Sequence, residues 1–429
     1  MQYYSLHHNA PKVSFSEAVI KGLAPDKGLY FPETITPLPD SFFENIENLD
    51  EVEIGYQTIK QFVGDEIPET ELKEILKDVL SFEFPVVDIA ENIGTLELFH
   101  GPTMAFKDVG ARFMARCLGY FNKNNENKVT VLVATSGDTG GAVAQGFLGV
   151  KGVDVVILYP SGKVSDIQER QLTTLGQNIT ALEVDGVFDD CQDMVKKAFL
   201  DTSITDYMQL TSANSINIAR WLPQLFYFVF AYKQLKSKSK DIVFSVPSGN
   251  FGNICAGIVA SKLGLPVKHF VASTNVNDTV VRYMNTEKYE PTASKATISN
   301  AMDVGNPSNF IRIQQLFNNN FNSLKGNFSA YSFNDVLTKE AMKEIYSKSN
   351  YIADPHGAVG YLGLKSYGLN ENEYGVFLET AHPVKFLDIV ENTLDLNVEI
   401  PKQIQKVLNK EKVSIKTNDY GKLKEFLLS

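Results

Sequence analysis

From Lys128 onward, short runs of apolar and β-branched residues alternate with helical patterns along the chain. Such alternation is typical of β-α units that fold into parallel sheets, and runs that are apolar almost throughout indicate strands covered on both faces. The runs predict strands over residues 129–134, 153–159, 179–184, 241–246, 267–272 and 374–379. We therefore expect an α/β fold with two three-layer domains built on parallel sheets.

Helix signals fill the spaces between these strands. Ser165 and Gln168 form the S-x-x-Q pattern of a capping box, and aspartates near the start of residues 188–200 suit the positive end of a helix dipole. The most apolar stretch, residues 221–232, is too short to cross a bilayer and contains Pro223, so we expect a buried helix there.

Residues 1–80 follow a different pattern, with turns rich in proline, aspartate and glutamate. Two stretches within them, residues 14–23 and 71–80, have the amphipathic spacing of helices. We expect this part to be a separate N-terminal unit. The stretches 122–128 and 318–327 are rich in asparagine and lysine, which is typical of solvated loops or helix ends.

Composition restricts the classes of function. The 429 residues are 44% hydrophobic and 21% charged, as in ordinary globular proteins, and the net charge of −11 argues against non-specific binding to nucleic acid or to an anionic membrane. Cys117, Cys191 and Cys255 lie far apart and form no C-x-x-C pair, which suits a reducing compartment. The N-terminal residues have no features of a secretory or transit peptide, so we expect a cytoplasmic protein.

Lys107 is the first candidate for chemistry. It follows Phe106 in the unusually apolar segment 96–120 and precedes a helical pattern over residues 109–118. Burial and the helix dipole both disfavour an ammonium ion at a helix start, which is the condition for an amine that forms a Schiff base. The alternative is a solvated surface lysine, which most lysines are.

Two strand ends lead into loops that suit anions. The first loop, residues 135–141, has glycines that expose backbone amides and hydroxyls that donate, which predicts a carboxylate or phosphate site. A plain turn with Asp138 or Thr139 as the helix N-cap is the alternative. The second loop, residues 247–253, repeats the construction.

The sequence lacks the motifs of several common kinds of binding and catalytic site. Neither loop has the Walker or the G-x-G-x-x-G pattern, which argues against nucleoside triphosphates and NAD. A phosphate held mainly by backbone amides, without a P-loop lysine, suits a compact cofactor monophosphate at a helix N-terminus. His356 and His382 have neither metal-ligand spacing nor a G-x-S-x-G partner, so we expect no metal site and no serine hydrolase.

A group of polar residues lies in a strongly apolar setting just before the buried helix. Asn214, Ser215 and Asn217 supply donors, and the planar fork of Arg220 can bind a phosphate or a carboxylate. The alternative is a helix capped by Ser212 or Asn214, with Arg220 paired to a carboxylate at the edge of the core. Together with the two loops, this segment indicates anion recognition.

Thr380 directly follows the last predicted strand, residues 374–379. Ligands of parallel sheets bind at the carboxyl ends of the strands, so the Thr380 hydroxyl stands where a ligand is expected. A loop hydroxyl without a ligand is the alternative.

The order and spacing of these segments resemble those of the threonine synthase family, in its long bacterial and fungal type, within the fold-type II (tryptophan-synthase-β-like) enzymes that use pyridoxal phosphate. The segments that carry the resemblance span nearly the whole chain and are FHGPTMAFKD, ATSGDTGGAVA, SANSINIAR, SVPSGNFGN, ASTNVNDTV, SNAMDVGNPSN and ETAHPVKF. It implies an N-terminal unit over residues 1–80, a large cofactor-binding domain over residues 81–111 and 209–429, and a small mobile domain over residues 112–208.

For the cofactor, the resemblance implies that Lys107 forms a Schiff base with pyridoxal phosphate and is the catalytic residue. It places Thr380 at the pyridine nitrogen and Asp138 near the 3′-oxygen, where the protonation state of an acidic side chain is an open question. The residues expected to hold the cofactor phosphate are Ser248, Gly249, Asn250, Phe251, Gly252 and Asn253.

For the substrate, the resemblance implies O-phospho-L-homoserine, which reacts with water to give L-threonine and phosphate by γ-elimination and β-addition. Thr135, Ser136 and neighbouring amides are expected to bind its carboxylate. The residues expected to hold its phosphate are Thr139, Asn214, Ser215, Asn250 and Arg220. Lys107 is expected to move protons among Cα, Cβ and Cγ. No nucleic acid, membrane or metal is implied, and the oligomeric state stays open.

Two other functions stay open at this point. A related enzyme such as a serine or threonine dehydratase has no substrate phosphate to bind, so Arg220 and its polar neighbours argue against it. A non-catalytic binding protein of the same family would have no need of Lys107 and both anion loops. The chain departs from the family pattern at Asn253, where many relatives have aspartate, and at Gly141, where alanine is common. Neither change removes a catalytic group.

Overall fold

Residues 1–80 form a small antiparallel sheet surrounded by helices. The computed structural model describes residues 1–123 and 128–429. The elements of this first part are β1 (Tyr3–Ser5), α1 (Phe15–Lys21), β2 (Tyr30–Pro32), α2 (Asp40–Glu44), α3 (Glu51–Val63) and α4 (Glu69–Val79). The two amphipathic stretches form α1 and α4, which confirms the prediction of helices there.

The middle of the chain alternates strands and helices, as predicted. Its elements are β3 (Val86–Ala90), β4 (Ile93–Glu97), α5 (Lys107–Asn122), β5 (Val129–Ala134), α6 (Asp138–Phe147), β6 (Val153–Pro160), α7 (Asp166–Thr173), β7 (Ile179–Val184), α8 (Phe188–Leu200), α9 (Thr202–Thr205) and β8 (Gln209–Thr211). Ser165 caps α7 through the predicted capping box with Gln168. Of the stretch 122–128, residues 124–127 lie outside the described residues.

The remaining elements begin with the apolar segment. They are α10 (Ile218–Trp221), α11 (Leu225–Leu235), β9 (Asp241–Pro247), α12 (Gly252–Lys262), β10 (His269–Thr274), α13 (Thr279–Thr286), α14 (Phe310–Leu316), α15 (Phe321–Asn327), β11 (Phe328–Ser332), α16 (Asp335–Ser349), α17 (Pro355–Tyr367), β12 (Glu373–Glu379), α18 (Leu387–Leu394), α19 (Lys402–Leu408), β13 (Ile415–Thr417) and α20 (Tyr420–Leu428). Helix α11 is largely buried, as predicted. No described helix combines the length and apolar character needed to span a bilayer.

Two sheets organise the strands beyond residue 80. The larger sheet has the order β11-β10-β9-β12-β4-β3, and its edge strand β3 pairs antiparallel to β4 while the other neighbours run parallel. The smaller sheet, β13-β7-β6-β5-β8, is parallel throughout. All six predicted strands are present, three in each sheet, which confirms the α/β fold class.

The membership of the smaller sheet extends beyond the expected small domain. Its edge strands β8 and β13 lie outside residues 112–208, and α20 packs against α8. A chain segment from the C-terminus thus returns to complete this sheet. The division of the chain into a large and a small domain stays a prediction.

One cluster of buried side chains joins the N-terminal residues to both sheets. Phe15 and Phe62 belong to it together with Phe113 of α5, Val131 of β5 and Phe244 of β9. Loss of this contact would expose large aromatic surfaces, each of which stabilises the fold by about 2–3 kcal/mol when buried. The N-terminal residues are therefore part of the core that positions the loops described next.

Candidate active site

Lys107 is the first residue of α5 and is held beside the end of β12. The backbone amide of Phe106 donates to the carbonyl of Thr380 (2.9 Å), and Ala105 forms an isolated bridge with Ala381. Burial lowers the pKa of the Lys107 amine to about 8, because desolvation and the charges of Arg220 and Lys385 outweigh the attraction of Asp138. About one tenth of this amine is therefore neutral at pH 7, far more than for a solvated lysine.

Asp138 begins α6 and forms a buried ion pair. Its Oδ1 lies 2.8 Å from the Nζ of Lys385 and accepts from the Nε2 of Gln168 (3.0 Å). Burial alone would raise the pKa of the Asp138 carboxyl, but the charges of Lys385 and Lys107 hold that pKa well below its usual range. These partners favour the ionised carboxyl, and its protonation beside the cofactor 3′-oxygen stays a prediction to be tested.

Lys385 is a residue that sequence reasoning missed. Its side chain is fully buried, and its Nζ also donates to the carbonyl of Thr103 (2.9 Å). The available signal was the same as for Lys107: a lysine between apolar neighbours, here Val384 and Phe386. The motif ETAHPVKF contains it, but its role becomes visible only when Asp138 is placed opposite.

The loop at residues 135–141 is held together by one hydroxyl. Thr135 Oγ1 accepts from the amides of Gly137 (3.0 Å) and Gly140 (2.8 Å). Gly137 is the N-cap of α6 and makes no side-chain cap, so the alternative with Asp138 or Thr139 as N-cap is wrong. Because the Thr135 hydroxyl is used within the loop, it shapes the turn.

The loop at residues 247–253 is braced in a similar way. Ser248 Oγ donates to the carbonyl of Val246 (2.7 Å), and Asn253 Nδ2 donates to that of Pro247 (2.8 Å). A Cβ on Gly249 would lie 2.8 Å from Met302 Cα, so only glycine fits there. The first amides of α12 have no partners within the helix, so this end attracts an anion.

Two expected phosphate-binding segments meet at Ser215. Asn250 Nδ2 donates to Ser215 Oγ (2.7 Å), and Asn250 Oδ1 accepts from the amide of Ser308 (2.6 Å). A Cβ on Gly252 would lie 3.3 Å from Ser215 Cβ, which shows how closely the two segments approach. The structure therefore brings together residues that are far apart in sequence.

Arg220 lies buried beside Lys107 without a carboxylate. Its Nη1 donates to the carbonyl of Lys107 (3.4 Å), and its Nε has no hydrogen-bond partner. Among the described residues no ion pair involves Arg220, and α10 is capped by Asn217. The alternative of a Ser212 or Asn214 cap with a carboxylate-paired arginine is therefore wrong.

The Nε–H of Arg220, unpartnered within residues 1–123 and 128–429, is a buried donor that a missing anion would satisfy. A buried guanidinium without a direct ion pair is costly, and burial lowers the pKa of Arg220 to about 10 although Tyr227 and Asp108 oppose this shift. A bound phosphate would supply the missing charge. The structure therefore places an amine of lowered pKa beside the end of β12 and next to a buried guanidinium that has no ion-pair partner in the described part of the chain.

The remaining candidates have structural partners. His356 Nδ1 lies 2.6 Å from Asp354 Oδ1, and His382 Nδ1 accepts from the amide of Val384 (3.1 Å). No group of side chains suited to a metal ion occurs within the described ranges. Thr380 is buried directly after β12, and its contact with a ligand stays a prediction.

Comparison with known proteins agrees with this geometry. The model of the pyridoxal-phosphate dependent enzymes matches residues 95–378, that of the threonine synthase N terminus matches residues 2–80, and that of the threonine synthase C-terminal region matches residues 357–427. The fold and the site thus define a fold-type II enzyme that depends on pyridoxal phosphate. More narrowly, the chain belongs to the threonine synthase family.

Relatives and solved structures match over all or nearly all of the chain. The threonine synthase of Buchnera aphidicola (subspecies Baizongia pistaciae) is 44% identical over 100% of both chains, and that of Saccharomyces cerevisiae is 36% identical over 91% of this chain and 89% of the yeast protein. The crystal structure of the Escherichia coli enzyme has a TM-score of 0.93 at 42% identity and covers 100% and 99% of the two chains. The PLP-bound enzyme of Brucella melitensis has a TM-score of 0.93 at 32% identity and covers 100% and 98%.

The residues at the site fit this cofactor. Lys107 offers the amine, the start of α12 offers amides for the phosphate, and Thr380 offers a hydroxyl for the ring. The absence of a side chain at Gly249 lets the loop backbone pack closely against Ala301 and Met302.

Proposed function

We propose that this chain converts O-phospho-L-homoserine and water into L-threonine and phosphate, as a lyase that uses pyridoxal phosphate. The single observation that carries the proposal is the buried, unpaired Arg220, whose Nη1 contacts the carbonyl of Lys107. An anion pocket directly beside the reactive amine suits a substrate whose phosphate leaves during the reaction. Membership of the threonine synthase family supports the same substrate.

The cofactor phosphate is assigned to the loop at residues 247–253, which has no charged side chain. Pyridoxal phosphate, when bound, supplies an electron sink for negative charge that develops on the substrate. Thr380 is placed at the ring nitrogen, and Asp138 near the 3′-oxygen. The residues assigned to the cofactor phosphate are Ser248, Gly249, Asn250, Phe251, Gly252 and Asn253. The side chains of Ser248 and Asn253 brace the loop, so its amides and the dipole of α12 do most of the binding.

The substrate is assigned to the surfaces around this loop. Ser136 and the amides near Thr135 bind its carboxylate, while the Thr135 hydroxyl shapes the loop. The residues assigned to its phosphate are Thr139, Asn214, Ser215, Asn250 and Arg220. Arg220 contributes the positive charge, and the others contribute donors without further charge.

Lys107 is assigned to proton transfer. Its lowered pKa of about 8 keeps part of the amine neutral near neutral pH, so it can accept a proton from the substrate and return it at another carbon. Since Arg220 contacts the same residue, the leaving phosphate and the proton carrier are held side by side. Water then adds at Cβ while the small domain, about residues 112–208, excludes bulk solvent.

The test is phosphate release from O-phospho-L-homoserine by cofactor-loaded protein, with threonine measured in parallel. Wild type should release phosphate and threonine in equal amounts. Lys107→Ala should lose this activity by at least about 1,000-fold. Lys163→Ala, which removes an exposed lysine, is the matched control and should keep wild-type activity.

Substrates without phosphate separate the rival functions. Keto-acid formation from L-serine or L-threonine, without turnover of the phosphorylated substrate, would contradict the proposal in favour of a dehydratase. Protein that binds the cofactor but turns over none of these compounds would favour a non-catalytic binding protein.

A further inference from the structure

Arg312 is a fully buried arginine that the proposed reaction does not use. It lies on α14, with its side chain completely inaccessible. Its guanidinium stacks on the ring of Trp221, 4.6 Å from the centroid. No carboxylate pairs with it in the part of the chain that the structure describes. Burial of an unpaired charge is costly, so its retention needs an explanation.

The partners of Arg312 are mainly backbone carbonyls from separate parts of the chain. Nη2 donates to Tyr30 (2.9 Å) and Ile216 (2.7 Å). Nη1 donates to the Ser215 carbonyl (3.2 Å) and to Asn309 Oδ1 (2.6 Å). One planar group therefore ties the N-terminal residues to the segment before α10 and to the turn before α14. A lysine could not reproduce this fork.

The guanidinium of Arg312 contacts the chain at both ends of residues 214–220, the segment proposed to bind the substrate phosphate. At one end, the Ser215 and Ile216 carbonyls accept from Arg312. At the other end, Trp221, which directly follows Arg220, forms the face on which the guanidinium stacks. The hydroxyl of Ser215 is thereby left on its other side to meet Asn250.

The N-terminal residues hold the same segment at a second place. Asn217 Nδ2 donates to the carbonyl of Val19 in α1 (2.8 Å), and Thr211 Oγ1 donates to the same carbonyl (3.2 Å). Two contacts from residues 1–80, at Val19 and Tyr30, thus converge on the segment that carries Ser215 and Arg220.

We propose that Arg312 is a positioning residue that fixes the substrate-phosphate segment through the Ser215 and Ile216 carbonyls and the Trp221 ring. This inference rests on the proposed function, since it assumes that residues 214–220 bind phosphate. It also gives the N-terminal residues a role in substrate binding, because the Tyr30 carbonyl accepts from the same guanidinium.

The test compares Arg312→Lys and Arg312→Met with wild type, as cofactor-loaded enzymes whose active fraction is counted from cofactor absorbance. Loss of the planar guanidinium should raise KM for O-phospho-L-homoserine by about 10- to 100-fold, with a smaller change in kcat. The inhibition constant of inorganic phosphate should rise by about the same factor. Ile313→Val, a neighbouring core substitution on α14, should lower stability without changing either constant. Arg312→Lys keeps the charge and much of the volume, so it decides the question if Arg312→Met does not fold.

The outcomes are distinguishable. Unchanged KM and phosphate inhibition in folded Arg312→Lys would overturn the inference, as would an equal rise in Ile313→Val. A wild-type enzyme that neither turns over the phosphorylated substrate nor is inhibited by phosphate would instead contradict the proposed function.

Discussion

The two anion loops share a plan and differ in charge. Residues 135–141 follow β5 of the smaller sheet and residues 247–253 follow β9 of the larger one, and each loop leads into a helix of small residues. The first carries Asp138, paired with Lys385, whereas the second has no charged side chain. A neutral loop of amides can accept a doubly charged phosphate directly, but a carboxylate in the same place repels it unless a cation intervenes.

The same position, a loop between a parallel strand and a helix of small residues, is thus held together in two ways. Both loops use a side chain to hold their backbone, Thr135 in the first and Ser248 in the second. In the first loop, however, the charge of Asp138 is balanced by Lys385 and also acts on Lys107. The second loop has no charged side chain, so it can bind an anion only through the placement of its amides and hydroxyls. We therefore expect charge changes to matter most in the first loop and volume changes in the second.

Removal of the Asp138 charge gives the largest expected effect. Asp138→Asn leaves the Lys385 ammonium buried without its counter-ion, which should lower the free energy of unfolding of cofactor-free protein by about 3–5 kcal/mol. The double variant Asp138→Asn/Lys385→Met should regain part of this loss, because no unpaired charge remains. Denaturant unfolding measures both.

The control is Asp189→Asn, which removes an exposed carboxylate and should change stability by less than about 0.5 kcal/mol. The lowered pKa of Asp138 means that its contribution is complete above the usual aspartate pKa of about 4 and declines as the pH falls below it. Equal stability of Asp138→Asn and wild type at neutral pH would show that the pair is not what distinguishes the first loop.

A methyl group at Gly249 tests the second loop. Gly249→Ala would place its Cβ 2.8 Å from Met302 Cα, so the loop must shift and affinity for pyridoxal phosphate should fall by about 10- to 100-fold. Gly141→Ala is the matched change in the first loop, where the new Cβ would lie 3.3 Å from the Gln171 side chain and fit with a small adjustment. Titration of cofactor-free protein measures both affinities.

Titration with pyridoxal, which lacks the phosphate, shows whether the loss of affinity comes from the phosphate site. Since it cannot use the amides at the start of α12, its affinity should be nearly the same in Gly249→Ala and wild type. An equal loss for both compounds would mean that the variant damages the site as a whole.

The hydroxyls that brace the loops give a smaller effect. Thr135→Val removes the acceptor of two buried amides and should cost about 1–3 kcal/mol of stability, whereas Ser248→Ala removes a donor to one carbonyl and should cost about 1 kcal/mol. If the loops serve different ligands, Thr135→Val should change KM for the substrate, and Ser248→Ala should change affinity for the cofactor. The reverse pattern would exchange the two assignments.

The pH dependence of cofactor capture gives the smallest effect. The pKa of Lys107 is lowered to about 8, so the rate at which cofactor-free protein takes up pyridoxal phosphate should rise with pH up to about 8 and then level off. Stopped-flow absorbance follows this rate. A rate that keeps rising towards the ordinary lysine pKa of about 10 would mean that the amine is not desolvated.

The sequence was sufficient for features that depend on local pattern. The central strands β5, β6, β7, β9, β10 and β12 were predicted from apolar runs because strands covered on both faces are apolar throughout. The capping box at Ser165 was likewise visible as a short motif. Short edge strands such as β8 and β13 carry little such signal, since they have three residues each and one side unpaired.

Contacts between distant segments could not be predicted in the same way. The pairing of Asp138 with Lys385 joins segments that follow strands of two different sheets, and the contacts of Arg312 reach Tyr30 and Ser215. The spacing of residues in a single sequence does not predict contacts between segments that are far apart along the chain. The candidate residues themselves were found from their types and motifs. The lowered pKa of Asp138 and the absence of an ion-pair partner of Arg220 among the described residues could be recognised only once the fold showed their neighbours.

The central claim is that the neutral loop at residues 247–253 holds the cofactor phosphate and that Arg220 with Ser215 holds the substrate phosphate. The most direct measurement is a crystal structure of the cofactor-loaded enzyme with inorganic phosphate. We predict that the cofactor phosphate binds the amides at the start of α12 and that a second phosphate binds Arg220 and Ser215. A cofactor phosphate bound at residues 135–141, or a second phosphate that does not contact Arg220, would contradict it.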